Sequence, residues 1–172
     1  CRCEPMISIE NVSKSFVLHN QGAAEIPVMR GASVAVAAGE CVARYDKIHL
    51  FNFRKGDESY DEARTIEPGR TVSTFTFTTR AGGTLKVGLS VCYDLRFPEL
   101  FRKMALEGAE IICLPAEWPR PRQEHWRTLL RARAMENQLF VVATNCCGIQ
   151  GKLDFFGMSL LLSARGDVLA EG

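Results

Sequence analysis

The stretch KVGLSVCYDLRFPEL, residues 86–100, decides the fold. Val87, Leu89 and Val91 form an apolar run that ends on Cys92. Asp94 marks a turn, and Pro98 stands where a helix begins, since proline is well placed in a first helical turn. A strand that stops at a cysteine just ahead of a helix places a thiol at the mouth of a sheet. There it is open to solvent and close to the positive end of a helix macrodipole, which favours the thiolate. Cys92 is therefore expected to be a nucleophile and not a buried packing residue.

Outward from this stretch, TVSTFTFTTRAGGTLKVGLSVC (71–92) reads as a hairpin, with Val72, Phe75 and Phe77 between threonines and AGG as the turn. ELFRKMALEGAE (99–110) reads as a helix with an apolar stripe of Leu100, Phe101, Met104 and Leu106, ended by Gly108. EIICLPAEWP (110–119) is a short buried strand. RQEHWRTLLRARAMENQ (122–138) is a second helix, with Trp126, Leu129, Leu130 and Ala134 on one side. LFVVATNCCG (139–148) is a further buried strand, and FFGMSLLLSARGDVLAEG (155–172) a hairpin turning at 164–167. Continuous apolar strands alternating with helices define an α/β layered fold. Upstream, FNFRKGDESYDEARTIEPGR (51–70) is polar and loop-like. Residues 28–43 read as a strand pair turning at Ala38-Gly39, and 6–18 as a strand with a polar break.

Bulk composition excludes some tasks. The 172 residues are 47% hydrophobic and 24% charged, as in ordinary globular proteins. A formal charge of +1 argues against nucleic-acid binding as the main task. No apolar run approaches the roughly 20 residues of a membrane span, and no signal peptide is visible, which points to a cytoplasmic protein. The seven cysteines (1, 3, 41, 92, 113, 146 and 147) show no CxxC spacing, and His19, His49 and His125 lie far apart, so reduced thiols without metal or cofactor are expected. Cys113, Cys146 and Cys147 lie in apolar runs and read as packing residues. The arginines at 120, 122, 127, 131 and 133 read as a solvated helix face paired with Glu124 and Glu136. His49 and His125 read as structural.

YDKIHLF (45–51) sets Lys47 in an apolar context, and GDES supplies Glu58 between Lys47 and Cys92. Together with VCYDLRFPEL, PAEWP, HWRTLLRARAMENQ and GMSLLLSARGDVL, in that order, these motifs resemble the nitrilase superfamily of carbon–nitrogen hydrolases, over about residues 43–172 and most like its omega-amidase branch. The resemblance implies a partial α-β-β-α sandwich, a homo-oligomer, and a small amide or nitrile as substrate. It implies Cys92 as nucleophile, Lys47 as catalytic lysine and Glu58 as supporting glutamate. A thiolate attacking an amide or nitrile carbon forms a thioester or thioimidate, and a lysine ammonium would stabilise the developing charge and lower the thiol pKa. Tyr93 and Arg96 are candidate pocket residues. Glu117 and Trp118 follow a strand end, where pocket lining and plain loop packing both remain open.

The general-base glutamate that this family carries near its N-terminus has no match here, which implies a loss of about 10²–10⁴-fold. Instead, residues 6–43 resemble the first strands of an ABC-type ATPase subunit of the phosphonate carbon–phosphorus lyase system, with Phe16 at the adenine-stacking position. No GxxxxGK[ST] loop follows. The expectation is an unrelated N-terminal β segment over 1–43, joined near residues 41–45 to a truncated hydrolase domain over 44–172. An ATP-binding fragment and a scaffold without catalysis are the alternatives.

Overall fold

The computed structural model describes residues 8–11, 32–37, 40–56, 58–78 and 82–172. Side chains up to residue 40 and at 55, 58 and 77 lie outside this description, as do Phe16 and the turn expected at Ala38-Gly39. The chain forms two compact units, residues 1–71 and 72–172.

In the first unit β1 (Ser8–Asn11), β2 (Ala32–Ala37) and β3 (Glu40–Asp46) form an antiparallel sheet in the order β1-β2-β3. Strand β3 runs unbroken across 43/44, where the sequence placed a domain boundary. The stretch 51–70, expected as loop, instead contains a hairpin of β4 (Asn52–Lys55) and β5 (Glu58–Asp61). Its turn uses Gly56 at φ +58°, and its aromatic residues hold it: Phe51 stacks on Phe53 at 6.3 Å and meets Tyr60 at 5.7 Å. Polar residues between those rings hid the strand alternation.

The second unit carries a six-stranded sheet in the order β13-β12-β9-β8-β7-β6. It is built from β6 (Ser73–Thr78), β7 (Thr84–Leu89), β8 (Ile111–Ala116), β9 (Phe140–Asn145), β12 (Leu160–Leu162) and β13 (Val168–Glu171). Strands β7, β8 and β9 are parallel, and the outer pairings are antiparallel. The crossovers contain α1 (Pro98–Leu106) and α2 (Gln123–Asn137), each within one or two residues of its expected start. The pairing register puts Gly88, Ile112, Val141 and Leu162 on one face, and Leu114, Ala143 and Leu160 beside them. All of these are buried, under the two helices. Gly88 is required there, because a Cβ would lie 2.6 Å from the Met104 sulfur of α1. Within α2, Trp126, Leu130 and Ala134 are fully buried as expected; within α1, Leu106 is 81% exposed, a correction to the expected stripe. It sits on the last turn, past the edge that Leu100, Phe101 and Met104 cover.

The hairpin expected over 155–172 turns where the sequence placed it, and a second hairpin precedes it. β10 (Cys147–Gln150) pairs with β11 (Leu153–Phe156), and β12 pairs with β13 across a turn closed by Ser163 and Asp167. Cys147 is consequently exposed, whereas Cys113 is buried. No described helix is long and apolar enough to cross a membrane.

Candidate active site

Strand β7 ends at Leu89, three residues short of Cys92. The backbone stays extended through Val91 and then turns sharply: Cys92 adopts φ +47° and opens a 3₁₀ turn, Cys92–Arg96, which leads to α1. This turn and the helix start at Pro98 lie where the sequence placed them. A residue with a Cβ at positive φ is strained by about 1–3 kcal/mol, and its neighbours must hold it there. Ser90 does so from below, with its backbone N–H and its hydroxyl both donating to the Cys113 carbonyl, at 3.0 and 3.2 Å. Asp94, fully buried, accepts from the Val91 N–H at 2.9 Å. The turn lifts the Cys92 thiol to a half-buried position, with its sulfur 4.0 Å from the Glu117 carbonyl.

Glu117 and Trp118 follow β8, and a residue the sequence reading missed fixes them. Asn145, at the end of β9, accepts from the Trp118 N–H at 2.7 Å and donates to the Trp118 and Gly157 carbonyls at 3.1 and 2.8 Å. The only sequence signal was a polar residue closing an apolar strand. Trp118 is 3% exposed, and its indole N–H donates to the Arg122 carbonyl at 2.9 Å.

The structure brings Tyr93, Arg96 and Trp118 together. The Arg96 guanidinium lies 5.1 Å from the Trp118 ring centre and 5.9 Å from that of Tyr93. Its Nη2 donates to His125 Nδ1 at 3.1 Å. Because a guanidinium has no acceptor, the Nδ1 of His125 carries no proton in this bond. An arginine over two rings presents a planar donor within the thiol turn, a group suited to a carboxylate. His125, read as structural, belongs to this cluster. The helix arginines are not one solvated face either: Arg120 pairs with Asp154, Arg131 donates to the Gly166 carbonyl at 3.0 Å, and Arg133 is 5% exposed.

In the first unit, Lys47 follows β3 and is 2% exposed. Its ammonium donates to both carboxylate oxygens of Glu62, at 2.8 and 2.6 Å. Glu62 is held in turn by the Phe51 N–H, which donates to Oε2 at 2.7 Å. The backbone beside Lys47 is pinned by Gly69, whose N–H donates to the Lys47 carbonyl at 2.8 Å; a Cβ at 69 would lie 1.9 Å from the Asp46 carbonyl. The carboxylate described on Lys47 is thus that of Glu62, four residues beyond Glu58. Glu58 opens β5 opposite Lys55, and its side chain lies outside the described residues. A second acidic residue in the same polar stretch was the available signal.

A family model described as carbon-nitrogen hydrolase matches residues 17–172. The 2-oxoglutaramate amidase of Paenarthrobacter nicotinovorans is 38% identical over 161 residues, covering 91% of this chain and 51% of that protein. The deaminated glutathione amidase of Escherichia coli O157:H7 is 43% identical over 139 residues, covering 80% of this chain and 48% of that protein. The chain spans about half the length of these relatives. Among solved structures, a mutant of the amidase from Nesterenkonia sp. AN1, with the acetamide moiety of fluoroacetamide added covalently at its active site cysteine, superposes with a TM-score of 0.71 at 30% identity, covering 85% of this chain and 52% of that one. The family match opens inside the 6–43 segment read as ATPase-like, and that likeness is not shown by these comparisons. With residues 17–172 inside the match, the chain belongs to the carbon-nitrogen hydrolase family.

Proposed function

We propose that this protein hydrolyses the C–N bond of a small amide that also carries a carboxylate, through a thioester on Cys92. The observation that carries the reading is the Cys92 turn: a half-exposed thiol held at φ +47° beyond a sheet strand, with a ring-stacked arginine at the other end of the same turn. In this reading the Cys92 thiolate attacks the amide carbon and a C–S bond forms. The family resemblance supplies Lys47, hydrogen-bonded to Glu62, as the group proposed to stabilise the oxyanion. Glu62, which pairs with Lys47, joins Glu58 of the sequence reading as a candidate for the supporting role. Collapse of the tetrahedral adduct breaks the C–N bond, and the amine leaves as ammonia with an added proton. Water then attacks the thioester, the acid departs and the thiol is restored. Arg96, framed by Tyr93 and Trp118, binds the carboxylate, with Glu117 beside the sulfur.

Two of the relatives are named for amides of this kind, 2-oxoglutaramate and deaminated glutathione. The test is ammonia release from small dicarboxylic acid monoamides. Release that disappears in Cys92→Ala, with a neutral amide such as propionamide turned over more slowly than its carboxylated counterpart, is the expected result. Release unchanged by Cys92→Ala would overturn the reading.

A further inference from the structure

The strained turn at Cys92 needs bracing on both sides. Asp94 supplies one side, through the N–H of Val91 that precedes the thiol. The other side comes from α2. The Nε and Nη2 of Arg133 both donate to the Leu95 carbonyl, at 3.1 and 2.9 Å, and Leu95 lies within the Cys92–Arg96 turn. The third arm, Nη1, donates to Glu136 at 3.0 Å, and the guanidinium lies 5.5 Å from the Phe101 ring centre of α1. Asn137 donates from its side chain to the Arg133 carbonyl at 3.0 Å, fixing the backbone from which the arginine reaches.

A buried arginine carries a large desolvation cost, and hydrophobic residues of similar size commonly stabilise a core as well or better. Here the buried charge serves geometry: two N–H groups of a rigid fork converge on one carbonyl, a constraint that no apolar side chain imposes. Resting on the proposed function, we infer that Arg133 is a positioning residue, which locks the turn that presents the Cys92 thiol by clamping the Leu95 carbonyl from α2.

The test is the alkylation rate of each cysteine by iodoacetamide at pH 7, read by peptide mass spectrometry on the 172-residue chain, with thermal melting alongside. In Arg133→Met, Cys92 is expected to react at least tenfold more slowly than in the wild type. Arg133→Lys keeps the charge but not the fork, so an intermediate loss is expected, and this variant serves if Arg133→Met does not fold. Arg131→Met is the control. It removes a guanidinium–carbonyl bond of the same kind from the same helix, but one made to Gly166. Its Cys92 rate is expected to stay within about twofold of the wild type even where its melting temperature falls equally. With a carboxylated amide, kcat should fall in Arg133→Lys with little change in KM. Fast Cys92 labelling in both Arg133 variants, or equal slowing in Arg131→Met, would overturn the inference while leaving the Cys92 reading intact. Wild-type Cys92 reacting no faster than exposed Cys147 would instead bring down the Cys92 reading, and this inference with it.

Discussion

Cys92 and Cys113 stand one strand apart in opposite surroundings. Cys113 lies within β8, paired in parallel with Leu89 and 5% exposed. Burial disfavours its thiolate and pushes its pKa up to about 12. Cys92 lies beyond the end of β7, in a strained turn and half-exposed. The two are linked, because the Cys113 carbonyl holds Ser90, two residues before Cys92. The difference teaches that, in the proposed reading, reactivity follows from where the strand stops, and that the carbonyl of the buried cysteine helps to position the proposed nucleophile.

The strongest way to break this contrast is to remove each thiol. Cys92→Ala should lower ammonia release by at least about 10³-fold, since the covalent route is lost. Cys113→Ala leaves the backbone carbonyl in place and should keep the rate within about threefold. Next comes the Lys47–Glu62 pair. Lys47→Gln should cost about 10²–10³-fold in kcat through loss of oxyanion stabilisation. It should also cost about 3–5 kcal/mol of stability, by leaving the Glu62 carboxylate without its counter-charge. Adding Glu62→Gln should recover much of that stability and none of the rate, which separates charge pairing from catalysis; denaturant titration and initial rates give the two readouts.

A smaller effect sharpens the Cys113 side. Its thiol stays neutral when folded but ionises above pH 9 in the unfolded chain, so unfolding releases a proton. Stability should therefore hold below pH 9 and fall between pH 9 and about 12, by about 1.4 kcal/mol per pH unit. Cys113→Ala should remove that part of the slope in denaturant titrations at pH 8, 9.5 and 10.5. The least change is expected at Arg44→Ala. Arg44 pairs with Asp46 at 2.8 Å, but both side chains are more than half exposed, so the loss should stay below about 1 kcal/mol.

The parallel strands and both helices were legible because β8 is apolar and buried almost throughout, because β7 and β9 carry the apolar runs 87–89 and 140–143, and because Pro98 and the 126/130/134 stripe announce helices. The β4–β5 hairpin was not, since its apolar content is a few aromatic residues set among charges. In the candidate site, Cys92 and Trp118 drew notice by following apolar strands. Glu62, Asn145 and Arg133 could not: each acts on a residue 15, 27 or 38 positions away, a distance at which sequence periodicity carries no information. Arg133 was misread as solvated for the same reason, as nothing in its own helix shows that the Cys92 turn covers it.

The central claim is that Cys92 is the residue on which the acyl group is carried. Incubation of the chain with fluoroacetamide, followed by peptide mass spectrometry, tests it most directly. The account predicts an acetamide adduct on the peptide holding Cys92, absent in Cys92→Ala, with Cys113 unmodified until the protein is denatured. An adduct confined to the exposed Cys41 or Cys147, with Cys92 recovered as free thiol, would contradict it.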